Sequence, residues 1–322
     1  MRVLIAGGYG LVGGRIARLL REAGHDLELV LAGRNPEAGA ALAAELGATT
    51  AALDVDAPDL AGPVDLVIAA LQDPGDNLLM AALRAGAAHI GIVRTADSMA
   101  SSAIAAAALA RRPALMLGHW QAGVLTLAAL AAAQDFAHVD SVAMAALYDY
   151  ADPIGPMTAN DAGGFVGRAL IRRSGAWENA AATDNGRSVA RLGQSAFDAL
   201  PMGVLDVPAL AAMTGANDVR FDLGTGESRG TVSGGPASHD LYIELAGRDA
   251  AGAAMARRVL VSDPQGQAHL TALGVLMGAE RLLGLDGAPP PAAGLVFPEG
   301  VLDPARAMAR LQGFGVTVET LA

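Results

Sequence analysis

The stretch Met1–Gly14, MRVLIAGGYGLVGG, decides the fold of the N-terminal half of the chain. The apolar run Val3–Ala6 predicts a buried strand, and the glycines behind it predict a tight turn. The spacing of Val12, Ile16 and Leu19 then predicts an amphipathic helix. A strand, a glycine turn and a helix in this order are typical of the opening unit of a dinucleotide-binding sheet.

Three glycines of the turn have the spacing G-x-G-x-x-G. We expect Gly8 to permit the tight turn, Gly10 to let the backbone approach a pyrophosphate, and Gly13 to let the helix pack closely on the strand. The phosphates would lie at the helix N-terminus, where free N–H groups and the helix dipole favour an anion. A glycine-rich turn without a ligand is the alternative. The predicted cofactor contacts here are Gly7, Gly8, Tyr9, Gly10, Leu11, Val12 and Gly13.

The predicted second strand, Leu27–Ala32, is followed by Gly33, Arg34 and Asn35, with no carboxylate among them. In NAD-binding units an acidic residue about 20 positions past the glycines accepts the ribose 2′-OH. A guanidinium instead pairs with a 2′-phosphate and stacks on adenine. Arg34 therefore favours NADP(H) as the cofactor, with a solvated arginine at a strand end as the alternative.

Strands and helices alternate as far as Leu117, which predicts a doubly wound parallel sheet, a Rossmann domain, over residues 1–120. Ligands gather at the carboxyl ends of such strands. We therefore expect the end of the fourth strand, Ala70-Leu71-Gln72, to pass beside the nicotinamide ribose. Asp54, after the third strand, either lies near the adenine or is a solvated loop carboxylate.

The pattern changes after residue 120. Strand-like stretches follow, and two of them, 239–246 and 253–262, predict a hairpin. We expect a second α+β domain with a mostly antiparallel sheet over residues 121–284, which binds substrate and forms a homodimer. A second copy would cover the apolar face of the hairpin, unless helices of the same chain do so. The segment 285–322 should pack back onto the first domain.

Composition excludes several classes of function. The chain of 322 residues has no cysteine, which excludes disulfides and thiolate catalysis. Its net charge of -11 argues against nucleic acid and against anionic membranes. No apolar run reaches the roughly 18 to 20 residues of a membrane span and no signal peptide is apparent, so we expect a cytoplasmic protein. No metal-ligand spacing or acyl-transfer motif is present, so no metal is expected.

Two residues after the sixth strand are candidates for the chemistry. His119 lies at a strand's carboxyl end, and histidine titrates near neutrality, so it is a candidate proton donor. A structural histidine bonded to the backbone is the alternative. Trp120 either walls the nicotinamide pocket or belongs to the core.

Further candidates lie in the second domain. Asp149 could bind a substrate amine and Tyr150 could donate a proton, although an ordinary polar loop fits as well. Arg168 and Arg172, one helical turn apart, could clamp a substrate carboxylate or face solvent. His239 and Tyr242, at the start of the hairpin, are additional candidates.

Several stretches together resemble the saccharopine dehydrogenase-like (saccharopine reductase) family. They are GGYGLVGGRIARLL at 7–20, LAGRN at 31–35, the glycine turn before Val124–Ala128, Asp263–Gly266 with the helix behind it, and Leu295–Gly300. The resemblance implies an NADP-binding Rossmann domain joined to a sheet domain that often mediates dimerisation. It also implies reduction of a C=N bond formed from an amine and a carbonyl compound, or the reverse reaction.

The chain departs from the family pattern at two places. Members often have an aspartate after strand five, where Gly91 follows His89-Ile90 here. Members often have proline-glycine after strand six, where this chain has Ala122-Gly123.

The sequence thus predicts an NADP-dependent oxidoreductase that acts on a small imine or an amino-acid-derived compound. Reduction of a C=C or C=O bond in a secondary metabolite is one alternative, which the unusual His119-Trp120 turn motivates. A non-catalytic NADP-binding sensor or scaffold is another, because the sequence has no unmistakable catalytic residue.

Overall fold

The computed structural model describes residues 1–92, 99–155, 168–191 and 193–321. Its helices are α1 (Leu11–Glu22), α2 (Ala40–Leu46), α3 (Asn77–Ala85), α4 (Met99–Leu109), α5 (Val124–Ala133), α6 (Asp206–Thr214), α7 (Arg229–Val232), α8 (Gln267–Leu283), α9 (Pro298–Val301) and α10 (Pro304–Gly313).

The strands of the first sheet are β1 (Arg2–Ala6), β2 (Glu28–Gly33), β3 (Thr49–Ala52), β4 (Leu66–Ala69), β5 (Ala88–Gly91), β6 (Pro113–Met116) and β15 (Gly294–Val296). Those of the second are β7 (His138–Tyr148), β8 (Arg168–Arg173), β9 (Ala176–Ala181), β10 (Arg187–Arg191), β11 (Gln194–Pro201), β12 (Asp218–Thr225), β13 (His239–Arg248), β14 (Ala254–Asp263) and β16 (Thr317–Leu321).

The first sheet has the order β15-β6-β5-β4-β1-β2-β3, and every neighbouring pair in it is parallel. Six of these strands follow the order of a doubly wound dinucleotide-binding sheet, in which the direction of winding reverses between β1 and β4. Strands β4, β5 and β6 are buried along their whole length, as expected of parallel strands covered on both faces. The predicted Rossmann fold is confirmed.

The second sheet has the order β10-β11-β12-β7-β13-β14-β16, and β8 and β9 extend it from β12. Among the described strands of this second sheet, β12 and β7 form the only parallel pair, and all other pairs are antiparallel. The predicted α+β architecture with a mostly antiparallel sheet is therefore confirmed, including the hairpin of β13 and β14.

The chain divides into two compact units. The first comprises Met1–Gly118 and Thr271–Leu302, and the second comprises His119–Leu270 and Asp303–Ala322. Most of α8 thus belongs to the first unit, although the sequence placed residues up to 284 in the second. The expectation that all of 285–322 packs onto the first domain is also wrong for β16, because this strand pairs with β14 in the second sheet.

The β13–β14 hairpin has little apolar surface left for a partner. On one face Leu241, Ile243 and Val261 are buried, and on the other Tyr242 and Leu260 are buried as well. The cover of the second face includes Val189 and Phe197, from the hairpin of β10 and β11. The hairpin therefore needs no second copy to cover an apolar face, and the dimer stays a prediction.

Within the described ranges, no helix combines the length and the apolar character required to cross a membrane.

Candidate functional site

The glycine turn between β1 and α1 is built by the residues that the motif names, but their tasks differ from the expectation. Gly7, not Gly8, has the left-handed backbone, with φ 76°. A Cβ on Gly8 would lie 2.7 Å from the carbonyl oxygen of Ile5 and 2.9 Å from Cα of Leu31. Gly8 is therefore required by close packing against β1 and β2, and Gly7 by the turn itself.

Gly13 has its expected role, whereas the approach of a pyrophosphate to Gly10 stays a prediction. A Cβ on Gly13 would overlap the carbonyl oxygen of Gly7, so only glycine lets α1 pack this closely on the turn. A Cβ on Gly10 would meet just that same oxygen, at 3.2 Å, among the described atoms, which leaves open space beside the turn. The first turn of α1 carries no acidic residue. The N-terminus of α1 thus has space beside Gly10 and no carboxylate in its own first turn, two features that favour an anion there.

Tyr9 connects this turn to the end of β2. Its hydroxyl accepts a hydrogen bond from the backbone N–H of Asn35 at 3.0 Å. Its ring lies so close to Gly33 and Gly39 that a Cβ on either would collide with it. Arg34 is exposed, and its guanidinium has no hydrogen bond or ion pair to any residue in the described ranges. The guanidinium of Arg34, next to Asn35 at the end of β2, is therefore available to bind a ligand.

A pocket of about 390 Å³ opens from the same turn between α1 and α2. Two arginines contribute to its lining, of which Arg18 pairs with Glu45. The lining residues are Tyr9, Gly10, Leu11, Gly14, Arg15, Arg18, Ala38, Ala41, Leu42 and Glu45.

The ends of β3 and β4 carry the remaining predicted cofactor contacts. Ala70 donates its N–H to Ala6 at 2.9 Å, and its carbonyl oxygen would lie 2.7 Å from a Cβ on Gly7. Ala70 and Leu71 therefore adjoin the glycine turn, and Gln72 follows them. Asp54 is exposed and accepts the N–H of Asp56 at 3.0 Å, as a loop carboxylate does.

In the second unit, the turn His119–Gly123 has an unusual backbone. Gln121 and Ala122 both have positive φ angles, 51° and 52°, and Gly123 follows at 92°. A left-handed residue other than glycine costs about 1–3 kcal/mol, so such a turn persists only where its surroundings over-determine it. The buried carboxylate of Asp206 supplies part of that support. It accepts the backbone N–H of Trp120 at 2.6 Å and the hydroxyl of Thr126 at 2.7 Å.

Burial raises the pKa of Asp206, and the nearby His119 together with these two hydrogen bonds opposes that rise. Because His119 lowers the pKa of Asp206, the histidine lies close to this carboxylate and belongs to the same buried cluster. The sequence did not identify Asp206, because it lies 86 residues from Trp120 along the chain.

The side chains of Trp120 and Gln121 both contact a second histidine, His239. The indole N–H of Trp120 donates to Nε2 of His239 at 3.2 Å, and the Gln121 amide lies 2.8 Å from the same atom. Since indole nitrogen can only donate, Nε2 is the acceptor and Nδ1 carries the proton. Burial lowers the pKa of His239 to about 3. His239 is therefore neutral at physiological pH, and its buried Nδ1–H has no partner among the described residues.

A buried Asp–His pair follows β14. Nδ1 of His269, in the first turn of α8, lies 2.7 Å from a carboxylate oxygen of Asp263. The two residues are 3% and 0% exposed. The other oxygen of Asp263 accepts the N–H of Gln265 at 2.9 Å, and the Gln265 side-chain amide lies 3.3 Å from Nε2 of His269. Asp263–Gly266 was part of the family resemblance, but no role for His269 was predicted.

The predicted pair Asp149 and Tyr150 lies in a polar loop. Asp149 is buried and accepts hydrogen bonds from the N–H groups of Ala151 and Ser228 and from the Thr231 hydroxyl. Burial alone would raise the pKa of Asp149, but these bonds outweigh it and lower the pKa to about 2. This carboxylate anchors the loop, whereas the Tyr150 side chain is 78% exposed. Tyr242, by contrast, packs in the core against Phe197, with ring centroids 5.4 Å apart.

The prediction that Arg168 and Arg172 lie on a helix is wrong, because both residues belong to strand β8. They share one face of the strand, where four residues span about 13 Å rather than one helical turn. Arg172 lies over the ring of Trp177, 5.5 Å from its centroid. The turn Ser174–Gly175, where both residues have positive φ, closes this hairpin. The separation argues against a two-arginine clamp on one carboxylate.

Among the described residues, no group of three or more His, Asp and Glu side chains is placed to hold a metal ion.

Solved dehydrogenases share this fold. The apo saccharopine dehydrogenase (L-Glu forming) from Saccharomyces cerevisiae matches with a TM-score of 0.72 at 13% identity, over 100% of both chains. A putative myo-inositol dehydrogenase from Sinorhizobium meliloti matches with 0.53 at 14% identity, over 100% of both chains. A scyllo-inositol dehydrogenase from Lactobacillus casei, with bound NAD(H) and scyllo-inositol, matches with 0.52 at 11% identity, over 99% of this chain and 98% of its own.

At such identities the likeness shows the fold, which is that of the saccharopine dehydrogenase structure. No protein-family model matches the sequence, and no curated protein sequence matches it.

Proposed function

We propose that this protein is an NADP-dependent oxidoreductase that reduces a small imine or an amino-acid-derived substrate. The observation that carries the proposal is the glycine turn. The N-terminus of α1 has space beside Gly10. The guanidinium of Arg34, which has no partner among the described residues, lies at the end of β2. The likeness to dehydrogenase folds, one of which holds NAD(H), supports a nicotinamide dinucleotide as the ligand.

The preference for NADP(H) rests on charge. A ribose 2′-phosphate at the end of β2 would meet Arg34 and the hydroxyl of Tyr9, which accepts the Asn35 N–H and still has its own proton to donate. A guanidinium binds phosphate through two parallel hydrogen bonds, whereas a 2′-OH offers it no charge. The bound dinucleotide would supply the hydride, and the protein would orient the substrate and exchange the proton.

The substrate class rests on the family resemblance and on the polar cluster of the second unit. A cluster with Trp120, Gln121, His239 and the Asp263–His269 pair offers donors and a proton-transfer group in a buried setting. Such a setting suits a small polar molecule with a nitrogen and neighbouring oxygen acceptors. An imine formed from an amine and a 2-oxo acid has both.

Turnover assays test the proposal. Purified protein and NADPH are incubated with an amine, with a 2-oxo acid, and with both, and the loss of NADPH absorbance is followed. Consumption that requires both partners is the expected result. Consumption with a carbonyl compound or an activated alkene alone would instead favour a C=O or C=C reductase. NADPH binding without turnover across a broad panel would favour a sensor or scaffold, and no dinucleotide binding at all would refute the proposal.

A further inference from the structure

We propose that Asp263 and His269 form the proton-transfer pair of the substrate site, with Nε2 of His269 as the atom that gives a proton to the substrate nitrogen. This inference rests on the proposed function. It adds to that function a named acid, which neither the sequence nor the likeness to other folds assigns.

The geometry of the Asp263–His269 pair is that of a proton-transfer pair. The Asp263 carboxylate accepts the Nδ1–H of His269 at 2.7 Å, and both side chains are almost completely buried. A carboxylate at Nδ1 fixes the tautomer and the ring orientation of a histidine and stabilises its imidazolium form. The backbone N–H of Gln265 holds the second carboxylate oxygen. The ring orientation is therefore fixed, and Nε2 is the ring nitrogen at which a substrate can bind.

Nε2 of His269, unlike Nδ1, has a partner that a substrate can replace. Its partner is the side-chain amide of Gln265, at 3.3 Å, and Gln265 is an exposed residue. The distance of 3.3 Å is longer than the usual range of about 2.7–3.2 Å for a hydrogen bond, so this contact is weak compared with the 2.7 Å bond at Nδ1. A substrate nitrogen can thus replace the amide at Nε2, whereas Asp263 cannot be replaced at Nδ1.

His239, a second buried histidine and part of the β13–β14 hairpin, differs from His269 in its partners. Nε2 of His239 already accepts from Trp120 and lies 2.8 Å from the Gln121 amide, and its burial keeps it neutral. His239 can donate a hydrogen bond through Nδ1, but with its lowered pKa it cannot take up and release a proton near neutral pH. Because His239 and Asp263 are directly opposite in the β13–β14 register, their side chains share one face of the hairpin.

One fixed neutral donor and one proton-transfer histidine therefore lie at the same end of one sheet face. This combination fits a substrate with an acceptor oxygen close to a basic nitrogen, as in an imine of a 2-oxo acid.

The imidazolium of His269 loses its Nε2 proton to the substrate nitrogen, and the Nδ1–H stays with Asp263. The substrate carbon receives a hydride, which the bound dinucleotide supplies with its electron pair. The C=N bond thus becomes a CH–NH bond, the dinucleotide is oxidised, and His269 takes up a proton from solvent before the next turnover.

The first test compares His269→Gln with His138→Gln as a matched control. His138 also pairs with an aspartate, Asp140 at 3.1 Å, but both of those side chains are exposed. Loss of a general acid should lower kcat by about 10² to 10⁴ with the NADPH Kd unchanged, and the control should retain wild-type kcat. If the wild type turns over and His269→Gln stays within threefold of it, this inference is refuted while the proposed function stands. A wild type without turnover removes both.

A second pair of variants avoids the buried positions. Gln265→Glu places a carboxylate at Nε2 that holds the proton there, and we expect kcat to fall at least tenfold. Gln265→Ala, which only removes the amide, should remain close to wild type. Equal kcat values for both variants and the wild type would overturn the inference even if His269→Gln failed to fold.

The third measurement does not depend on turnover. With ¹⁵N-labelled histidine, the protein loaded with NADP⁺ should show His269 as the Nδ1–H tautomer. Addition of the amine and the 2-oxo acid should shift its Nε2 resonance and leave that of His138 unchanged. A purely structural pair would show no shift of Nε2 at saturating substrate, and that result would contradict the proposal.

Discussion

Replacement of Arg34 by alanine isolates the part of the proposed cofactor site that distinguishes NADPH from NADH. The Arg34 side chain is exposed and has no hydrogen bond or ion pair with any residue in the described part of the chain. Alanine there should change the free energy of unfolding by less than about 0.5 kcal/mol, as is usual for surface positions. Any large effect on cofactor binding would then reflect a contact with the ligand.

The expected magnitude follows from the lost contact. A hydrogen bond to a charged group contributes roughly 1.5–3 kcal/mol. At about 1.4 kcal/mol for each tenfold change, the affinity for NADPH should fall by about one to two orders of magnitude. The affinity for NADH should hardly change, because NADH has no phosphate at the 2′ position. The ratio of the two dissociation constants is therefore the quantity that tests the argument.

The assay is a titration of both cofactors by calorimetry, on the wild type, on Arg34→Ala and on Arg84→Ala. Arg84 is a matched control, since it is also an exposed arginine of the first unit, in the last turn of α3. Equal losses for NADPH and NADH in Arg34→Ala would mean that Arg34 stacks on adenine or supports the turn. A wild type that prefers NADH would refute the assignment of Arg34 to a 2′-phosphate.

Three further outcomes are expected. Gly13→Ala should weaken cofactor binding at least tenfold and cost about 1–3 kcal/mol of stability, because its Cβ would overlap the Gly7 carbonyl. In Gly14→Ala, the control, the Cβ would meet only the end of the Leu42 side chain as a close neighbour, at 3.3 Å, and equal losses in both variants would contradict the argument. The pKa of His239 is lowered by burial from 6.5 to about 3, so the unfolded state binds the proton first as the pH falls. Stability should then decrease by about 1.4 kcal/mol per pH unit below 6.5; urea unfolding at pH 7 and pH 5 should show this loss reduced in His239→Gln, and an unchanged pH dependence would exclude His239 as its source. For the predicted homodimer, light scattering at micromolar concentration should give twice the chain mass, and a value near 32.3 kDa would rule out a stable dimer.

Local signals in the sequence determined individual elements of both units. The glycine turn has the predicted position, and the sequence alone also predicts helices near 77–85 and 124–133, where α3 and α5 lie. Asp303 followed by Pro304 is a typical helix start, and the Asp303 carboxylate caps α10 by accepting the N–H of Arg306 at 2.7 Å. These features depend on residues close together in the chain, where periodicity, capping and glycine spacing act directly. The sequence also determined the parallel sheet, since alternating strands and helices allow few other arrangements.

Only the tertiary structure decided the polar cluster of the second unit. Asp206 meets Trp120 across 86 residues, and His239 meets Trp120 across 119. No local pattern encodes such pairs, because strand order and register bring them together. The same holds for Arg168 and Arg172, whose spacing fits one face of a helix or of a strand equally well. Pairing of β8 with β9 and β12 made the choice, and with it separated the two guanidinium groups.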